Sequence, residues 1–166
     1  TEREISGFYT KDELQLQIDR RITRKDLRTF KVDKNIAGRA YQLEAIKRVA
    51  ENLGKTHESR YVGTKRESLL VMATGSGKTR TAAAIVDMLT KCNWAKRVLF
   101  LADRNNLADQ AMGDFRAFKG DSLKRITPKE ISKNGVVPKN NSIFFTIFQT
   151  FVQSSSRSLA GVLPPG

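Results

Sequence analysis

The sequence predicts an α/β domain in three layers, a parallel sheet with helices on both faces. Three observations predict it. Three short apolar runs, Leu69–Met72, Val98–Ala102 and Ile143–Phe148, alternate with stretches of helical periodicity. The runs are apolar at consecutive positions, the pattern of strands buried on both faces. A glycine-rich loop, Met72-Ala73-Thr74-Gly75-Ser76-Gly77-Lys78-Thr79, joins the first run to the helix after it. Strands alternating with helices imply βαβ units with right-handed crossovers.

The elements follow in order. Thr10-Lys11-Asp12-Glu13 has the form of a capping box, and a short helix through Ile18 follows with Leu14 and Ile18 on one face. Residues 19–37 are basic, without a clean period, and are expected to be a connector. After Gly38 a helix carries Tyr41, Ala45, Ile46, Val49 and Leu53, and Asn52-Leu53-Gly54 stops it. Residues 55–67 are polar and expected to be a loop. The first apolar run leads through the glycine-rich loop into a helix at about 78–91 with Ala82, Ile85, Val86 and Leu89 inward. Asn93 to Lys96 turns the chain into the second run. Asn105 or Asn106 caps a helix carrying Leu107, Ala111 and Phe115. Pro128 and Pro138 bracket a polar stretch before the third run, and the chain after Gln153 is loop-like.

A length of 166 residues fits one domain. The formal net charge is +13, with 30 basic and 17 acidic side chains spread along the whole chain rather than gathered in a tail. Such a surface attracts polyanions, of which nucleic acid is the commonest. The single cysteine, Cys92, excludes an internal disulfide and a cysteine-based metal site, and the lone His57 sits in a polar stretch. No apolar run is long enough to span a membrane and the start shows no signal peptide. The expected location is cytoplasmic.

The loop carries the chemistry. The generic phosphate-loop pattern has glycine, four residues, then Gly-Lys-Ser/Thr. Gly77-Lys78-Thr79 supplies its end, but Met72 stands where the first glycine would be. Gly75 and Gly77 permit the backbone torsions that turn amides inward as an anion nest. Lys78 is a point charge for the β- and γ-phosphates, and Thr79 offers a hydroxyl to Mg²⁺. The helix that follows presents its positive end to the phosphates. Thr74, Gly75, Ser76, Gly77, Lys78, Thr79 and Arg80 are thus the candidate residues for ATP in the loop, with Lys78 and Thr79 the catalytic pair and Thr79 the only metal-directed side chain; the resemblance described next adds Arg39 and Gln42.

Thr74-Gly75-Ser76-Gly77-Lys78-Thr79 resembles motif I of superfamily 2 helicases and translocases, and the Met-Ala before it resembles the subgroup holding the restriction-enzyme motors. Arg39-Ala40-Tyr41-Gln42-Leu43-Glu44-Ala45-Ile46 resembles the Q-motif region, which implies that Gln42 reads the adenine edge. Val98 to Gln110, with Asp103-Arg104-Asn105-Asn106 at its turn, resembles motif Ia of the motor (R) subunit of type I restriction enzymes. Phe144 to Phe151 is similar to a later strand-end motif. The last two imply nucleic-acid contacts by Arg104, Asn105, Gln149 and Thr150, and those asparagines and free helix amides suit phosphates. The resemblance implies a RecA-like, P-loop ATPase fold. It also implies ATP-driven movement along duplex DNA, and partnership with the specificity and methylation subunits of a restriction-modification complex.

The resemblance also implies organisation. Residues 1–37 are expected to be a helical N-terminal approach, 38–153 a partial first motor domain, and 154–166 a loop-like tail. Such motors need an Asp-Glu-x-His or Asp-Glu-x-Asp motif, and none occurs in the sequence. The expected function is therefore the ATP-binding part of an ATP-dependent DNA translocase, able to hold ATP but not to cleave it alone. Two alternatives stand beside it. In one, Val98 to Asp103 is a Walker B strand and the chain is a small kinase-like enzyme. In the other, the chain is a basic DNA-binding module without catalysis.

Overall fold

The computed structural model describes residues 9–58, 60–119, 122–127 and 142–150. The Pro128–Pro138 stretch, the tail from 154 and Phe151 lie outside them. The chain divides into two compact units, one of residues 15–96 and one of residues 1–14 with 97–166.

Helix α1 runs Lys11–Ile22, one turn beyond the expected end. Its start is the predicted capping box: the Thr10 amide donates to Glu13 Oε2 at 2.8 Å and the Glu13 amide to Thr10 Oγ1 at 3.2 Å. The connector is more ordered than its sequence implies. Asp26 caps a 3₁₀ turn at Leu27–Thr29, which buries Leu27, and Ile36 and Ala37 are buried beyond it.

Helix α2 spans Ala40–Leu53 and stops at Gly54. Its buried face is Gln42, Ile46, Val49 and Ala50, so the stripe is rotated by about one residue from the predicted one, and Tyr41 is exposed. A polar residue takes the core position because its amide has partners there, described below. Helix α2 packs against the 3₁₀ turn and against α3, Lys78–Lys91, whose bounds match the expectation. Between them, residues 55–67 are not a plain loop. Strands β1 (Gly54–His57) and β2 (Arg60–Gly63) pair antiparallel, with Glu58 at φ 45°, in the left-handed region that tight hairpin turns require.

In the other unit, β3 (Val98–Ala102), α4 (Asn105–Lys119), β4 (Leu123–Arg125) and β5 (Ile143–Ile147) form a parallel sheet of order β3-β5-β4 with α4 packed on it. Val98 pairs with Ile143 and Ala102 with Ile147. Among the described residues strand β5 is central and buried from Ile143 to Thr146, whereas β3 is an edge strand, with Leu99 and Leu101 exposed. An apolar run alone does not distinguish a central strand from an edge strand. Helix α4 turns Ala108, Ala111 and Phe115 inward and leaves Leu107 exposed. Phe100, Phe115 and Phe145 meet at ring-centroid distances of 5.2–5.8 Å and form the heart of this unit's core.

The chain is thus α/β with a parallel sheet, but one expected strand is missing from it. Residues 69–72 pair with no strand among the described residues, and Leu69 and Val71 are 90% and 88% exposed. Apolar character makes such a run fit to be buried; a neighbouring strand must still accept its hydrogen bonds.

Candidate functional site

The glycine-rich loop has the torsions that its composition predicts. Gly75 and Gly77 lie at φ 76° and 83°, where a side chain would be strained. Gly77 is also the residue before α3, so the left-handed turn delivers the chain directly into the helix. Its carbonyl accepts from the Thr81 amide at 2.9 Å and from Thr81 Oγ1 at 3.1 Å. Ser76 Oγ closes the loop on itself by donating to the Ala73 carbonyl at 2.6 Å.

Helix α2 holds this loop from the side. Gln42 is 3% exposed. Its Nε2 donates to the Ser76 carbonyl at 3.2 Å and the Gly77 carbonyl at 3.4 Å, while its Oε1 accepts from the Arg39 amide at 3.2 Å. Tyr41 adds a second tie, its hydroxyl donating to the Ser76 carbonyl at 2.8 Å and accepting from Arg39 Nη1 at 2.8 Å. That bond keeps the Arg39 guanidinium above its ordinary pKa. A β-carbon on Gly77 would lie 2.5 Å from Gln42 Nε2, so a side chain there would have to push that buried amide aside as well as meet the torsional strain. Sequence reasoning reached Gln42 as a ligand-facing residue; the structure gives its amide to the loop backbone. Tyr41 was not anticipated as a loop contact.

Lys78 Nζ donates to the Met72 and Ala73 carbonyls at 3.3 and 3.2 Å, so the ammonium lies against the start of its own loop. Thr79 and Arg80 sit in the first turn of α3 beside it, with Arg80 exposed. Thr74 is exposed at the loop's turn. Two left-handed glycines, a lysine and the N-terminal end of a fourteen-residue helix fit a polyphosphate. A cleft of about 370 Å³ adjoins the loop, lined by Tyr41, Ala45, Val71, Met72, Ala73 and Ser76.

In the other unit the parallel pairing of β3 and β5 brings two predicted segments to one sheet edge. Ala102 and Ile147 are register partners, so Asp103-Arg104-Asn105 and Phe148-Gln149 leave the sheet side by side, at the strand ends where α/β sheets bind ligands. Arg104 and Gln149 are exposed. Asn105 Oδ1 accepts from Arg125 Nη2 at 2.7 Å, and Asp109 Oδ1 lies 3.1 Å from Arg125 Nε. Asn105 therefore fastens α4 to β4 while standing at the surface. Thr150 is 2% exposed and presents no surface to a nucleic acid; its place in the chain marked it, but the turn after β5 points it inward. Asp103, the candidate Walker B acid, is exposed and lies 3.7 Å from Arg104. Among the described residues no group of three His, Cys, Asp or Glu side chains could hold a metal, and no helix is long and apolar enough to cross a membrane.

Residues 35–161 match the family described as "Type III restriction enzyme, res subunit". The chain is 46% identical over 94 residues to the type I restriction enzyme EcoAI endonuclease subunit of Escherichia coli, covering 56% of this chain and 10% of that one. It is 41% identical over 90 residues to the EcoKI endonuclease subunit of E. coli strain K12, covering 53% and 7%. The SauCOLORF180P endonuclease subunit of Staphylococcus aureus strain COL is 26% identical over 129 residues, covering 78% and 13%. The chain therefore spans about a tenth of the length of these relatives. No solved structure matches. The family match covers most of the sequence and takes in the glycine-rich loop and both strand ends: the chain belongs to the restriction-enzyme res-subunit family, similar to the endonuclease subunits of type I enzymes.

Proposed function

We propose that this chain is the ATP-binding part of a DNA translocase motor of the type I restriction kind, folded as part of a RecA-like P-loop domain. The observation that carries the reading is the loop at residues 72–79, with its two left-handed glycines held by Gln42 and Tyr41 at the entrance to α3. Its presence in a chain of this family, similar to type I endonuclease subunits, supports the motor over a small kinase or a passive DNA-binding module.

In this reading Lys78 exchanges its two carbonyl partners for phosphate oxygens, and the loop amides take the remaining oxygens. Thr79 would hold Mg²⁺ through its hydroxyl, and the ion would supply positive charge to the phosphates. Arg39 and Arg80 add positive charge around the loop, and Thr74 and Ser76 offer hydroxyls. Gln42 holds the loop and stands next to the cleft where a base would lie, so adenine recognition requires it to turn part of its amide outward. Arg104, Asn105 and Gln149 touch duplex DNA from the strand ends. Cleavage of ATP needs an acidic pair that these residues do not supply, so nucleotide binding outlasts hydrolysis in this chain. The specificity and methylation subunits of a restriction-modification complex are the proposed partners, and the cytoplasm the proposed location.

Calorimetry of Mg·ATP binding to the wild type and to Lys78→Ala tests the reading. Binding that falls by ten-fold or more in the variant supports it. Equal binding by both proteins, or none by either, sinks it.

A further inference from the structure

Away from the phosphate loop, the same unit carries a concave groove of about 650 Å³ between the β1–β2 hairpin and the C-terminal end of α3. Its lining includes Arg24, Arg60, Lys65, Arg66, Tyr61 and Trp94, and no acidic residue. The groove is built rather than incidental. The Trp94 ring lies against the Gly54–Gly63 cross-strand pair, where a β-carbon on Gly54 would come within 2.5 Å of it. Trp94 Nε1 donates to the Lys25 carbonyl at 2.8 Å, and the Arg24 guanidinium lies 4.5 Å from the ring centroid. The chain leaving the hairpin is stapled to the end of α2. Thr64 Oγ1 donates to the Asn52 carbonyl at 2.6 Å, and the Lys65 amide donates to the same carbonyl at 3.3 Å. Lys65 and Arg66 are thereby fixed at the rim.

Several cations elsewhere in the molecule pair with acids: Arg28 with Asp26, Arg48 with Glu44, Lys91 with Asp87 and Arg125 with Asp109. Among the described residues no carboxylate lies within ion-pair distance of Arg60, Lys65 or Arg66. Three like charges left together on one rim repel one another, and an anion relieves that repulsion. Guanidinium groups match phosphate geometry, and a half-buried tyrosine beside them offers a face for a base. The volume lies within the ~300–1,000 Å³ that encloses a ligand of small-molecule size, so roughly one or two nucleotides fit and a duplex does not.

We infer that this groove is a second nucleic-acid site, which takes the phosphodiester backbone of a single strand on Arg60, Lys65 and Arg66 with a base against Tyr61. It shares with the proposed function only the premise that the chain works on nucleic acid.

Trp94 is the one tryptophan of the chain, so its fluorescence reports on this groove alone. The whole chain is titrated with a short oligothymidylate, the duplex of equal length, and polyglutamate. The strand is expected to change Trp94 emission with saturation, and to do so equally in Lys78→Ala, which separates this site from the phosphate loop. Three phosphate contacts predict a log–log salt slope of about −2, which the triple variant Arg60→Gln/Lys65→Gln/Arg66→Gln should abolish together with at least ten-fold of the affinity. Unchanged emission, or wild-type affinity in the triple variant, overturns the proposal. Equal response to polyglutamate overturns nucleic-acid recognition, and equal response to duplex overturns the single-strand assignment. The substitutions are at exposed positions, and an unchanged emission spectrum of the free triple variant verifies its fold.

Discussion

The side-chain amide of Gln42 donates to the Ser76 carbonyl at 3.2 Å and stands 2.5 Å from the point that a β-carbon on Gly77 would occupy. The helix before the hairpin and the loop before α3 are therefore locked through one buried amide. A change at either residue is felt at the other.

Gln42→Ala should lower stability by about 1–2 kcal/mol, because it removes a buried hydrogen-bonded group and leaves the Arg39 amide without its side-chain acceptor, while the Ser76 and Gly77 carbonyls keep Tyr41 and Thr81. Chemical denaturation measures that loss. Nucleotide titrations divide the roles: a loop-holding Gln42 costs ATP and GTP affinity equally, whereas an adenine reader costs ATP alone. An ATP-selective loss would mean that the amide seen on the loop turns to the base when nucleotide binds.

The two left-handed glycines should not respond alike. Gly75→Ala meets open space and carries the torsional cost alone, about 1–2 kcal/mol. Gly77→Ala carries that cost and also displaces Gln42, so it should be the more destabilising and should abolish nucleotide binding. Thermal melts of the two variants rank them, and equal melting temperatures would contradict the tie between α2 and the loop.

At the sheet edge, Arg104→Ala and Gln149→Ala are expected to weaken duplex binding. The arginine variant should also make it less dependent on salt, since one phosphate contact accounts for roughly 0.9 of the log–log slope. Thr150→Val, buried, should leave binding unchanged. Filter binding at several salt concentrations gives all three numbers. A Thr150→Val defect as large as that of Arg104→Ala would show that the turn after β5 opens.

Asp26 accepts from the Arg28 amide at 2.9 Å and pairs with the Arg28 guanidinium at 2.7 Å, and its side-chain bonds to Arg28 hold the carboxyl below the ordinary carboxylate pKa. A depressed folded-state pKa contributes stability above the unfolded value, near ~4, and loses it as the pH falls through the folded value. Asp26→Asn should therefore flatten the acid limb of the stability profile below about pH 4, while lowering stability slightly at neutral pH through the lost charge pair with Arg28, since asparagine caps as well as aspartate. Urea midpoints between pH 2 and 7 check both. A variant with the wild-type acid limb would place the acid sensitivity elsewhere.

The residues that were legible in the sequence are those whose structure is decided locally. Thr10 and Glu13 cap a helix because they are three apart, and Gly77 followed by Lys78 starts one because glycine alone tolerates that torsion. What was not legible depends on distant chain. The hairpin of Gly54–His57 and Arg60–Gly63 has too few apolar positions to alternate, and it is held by Trp94, some thirty residues on. Strand β4 is Leu-Lys-Arg, recognisable only by its pairing with Ile143 to Phe145. Gln42 appeared as an adenine reader on an amphipathic helix, and nothing local says that its partners are carbonyls at 76 and 77. Leu69 to Met72 is the converse, apolar by sequence but with Leu69 and Val71 exposed in the structure, because burial needs a neighbour that sequence pattern does not name.

That segment has a consequence for the protein in the test tube. Two exposed oily side chains, Leu69 and Val71, carried on a molecule of charge +13, set two colloidal forces against each other. At low ionic strength like-charged molecules keep their distance and the oily segments do not meet. As the Debye length shrinks from about 30 Å at 0.01 M to about 3 Å at 1 M, that distance closes and the segments can adhere. The protein should therefore salt out early, and a charged residue at Val71 should keep it in solution.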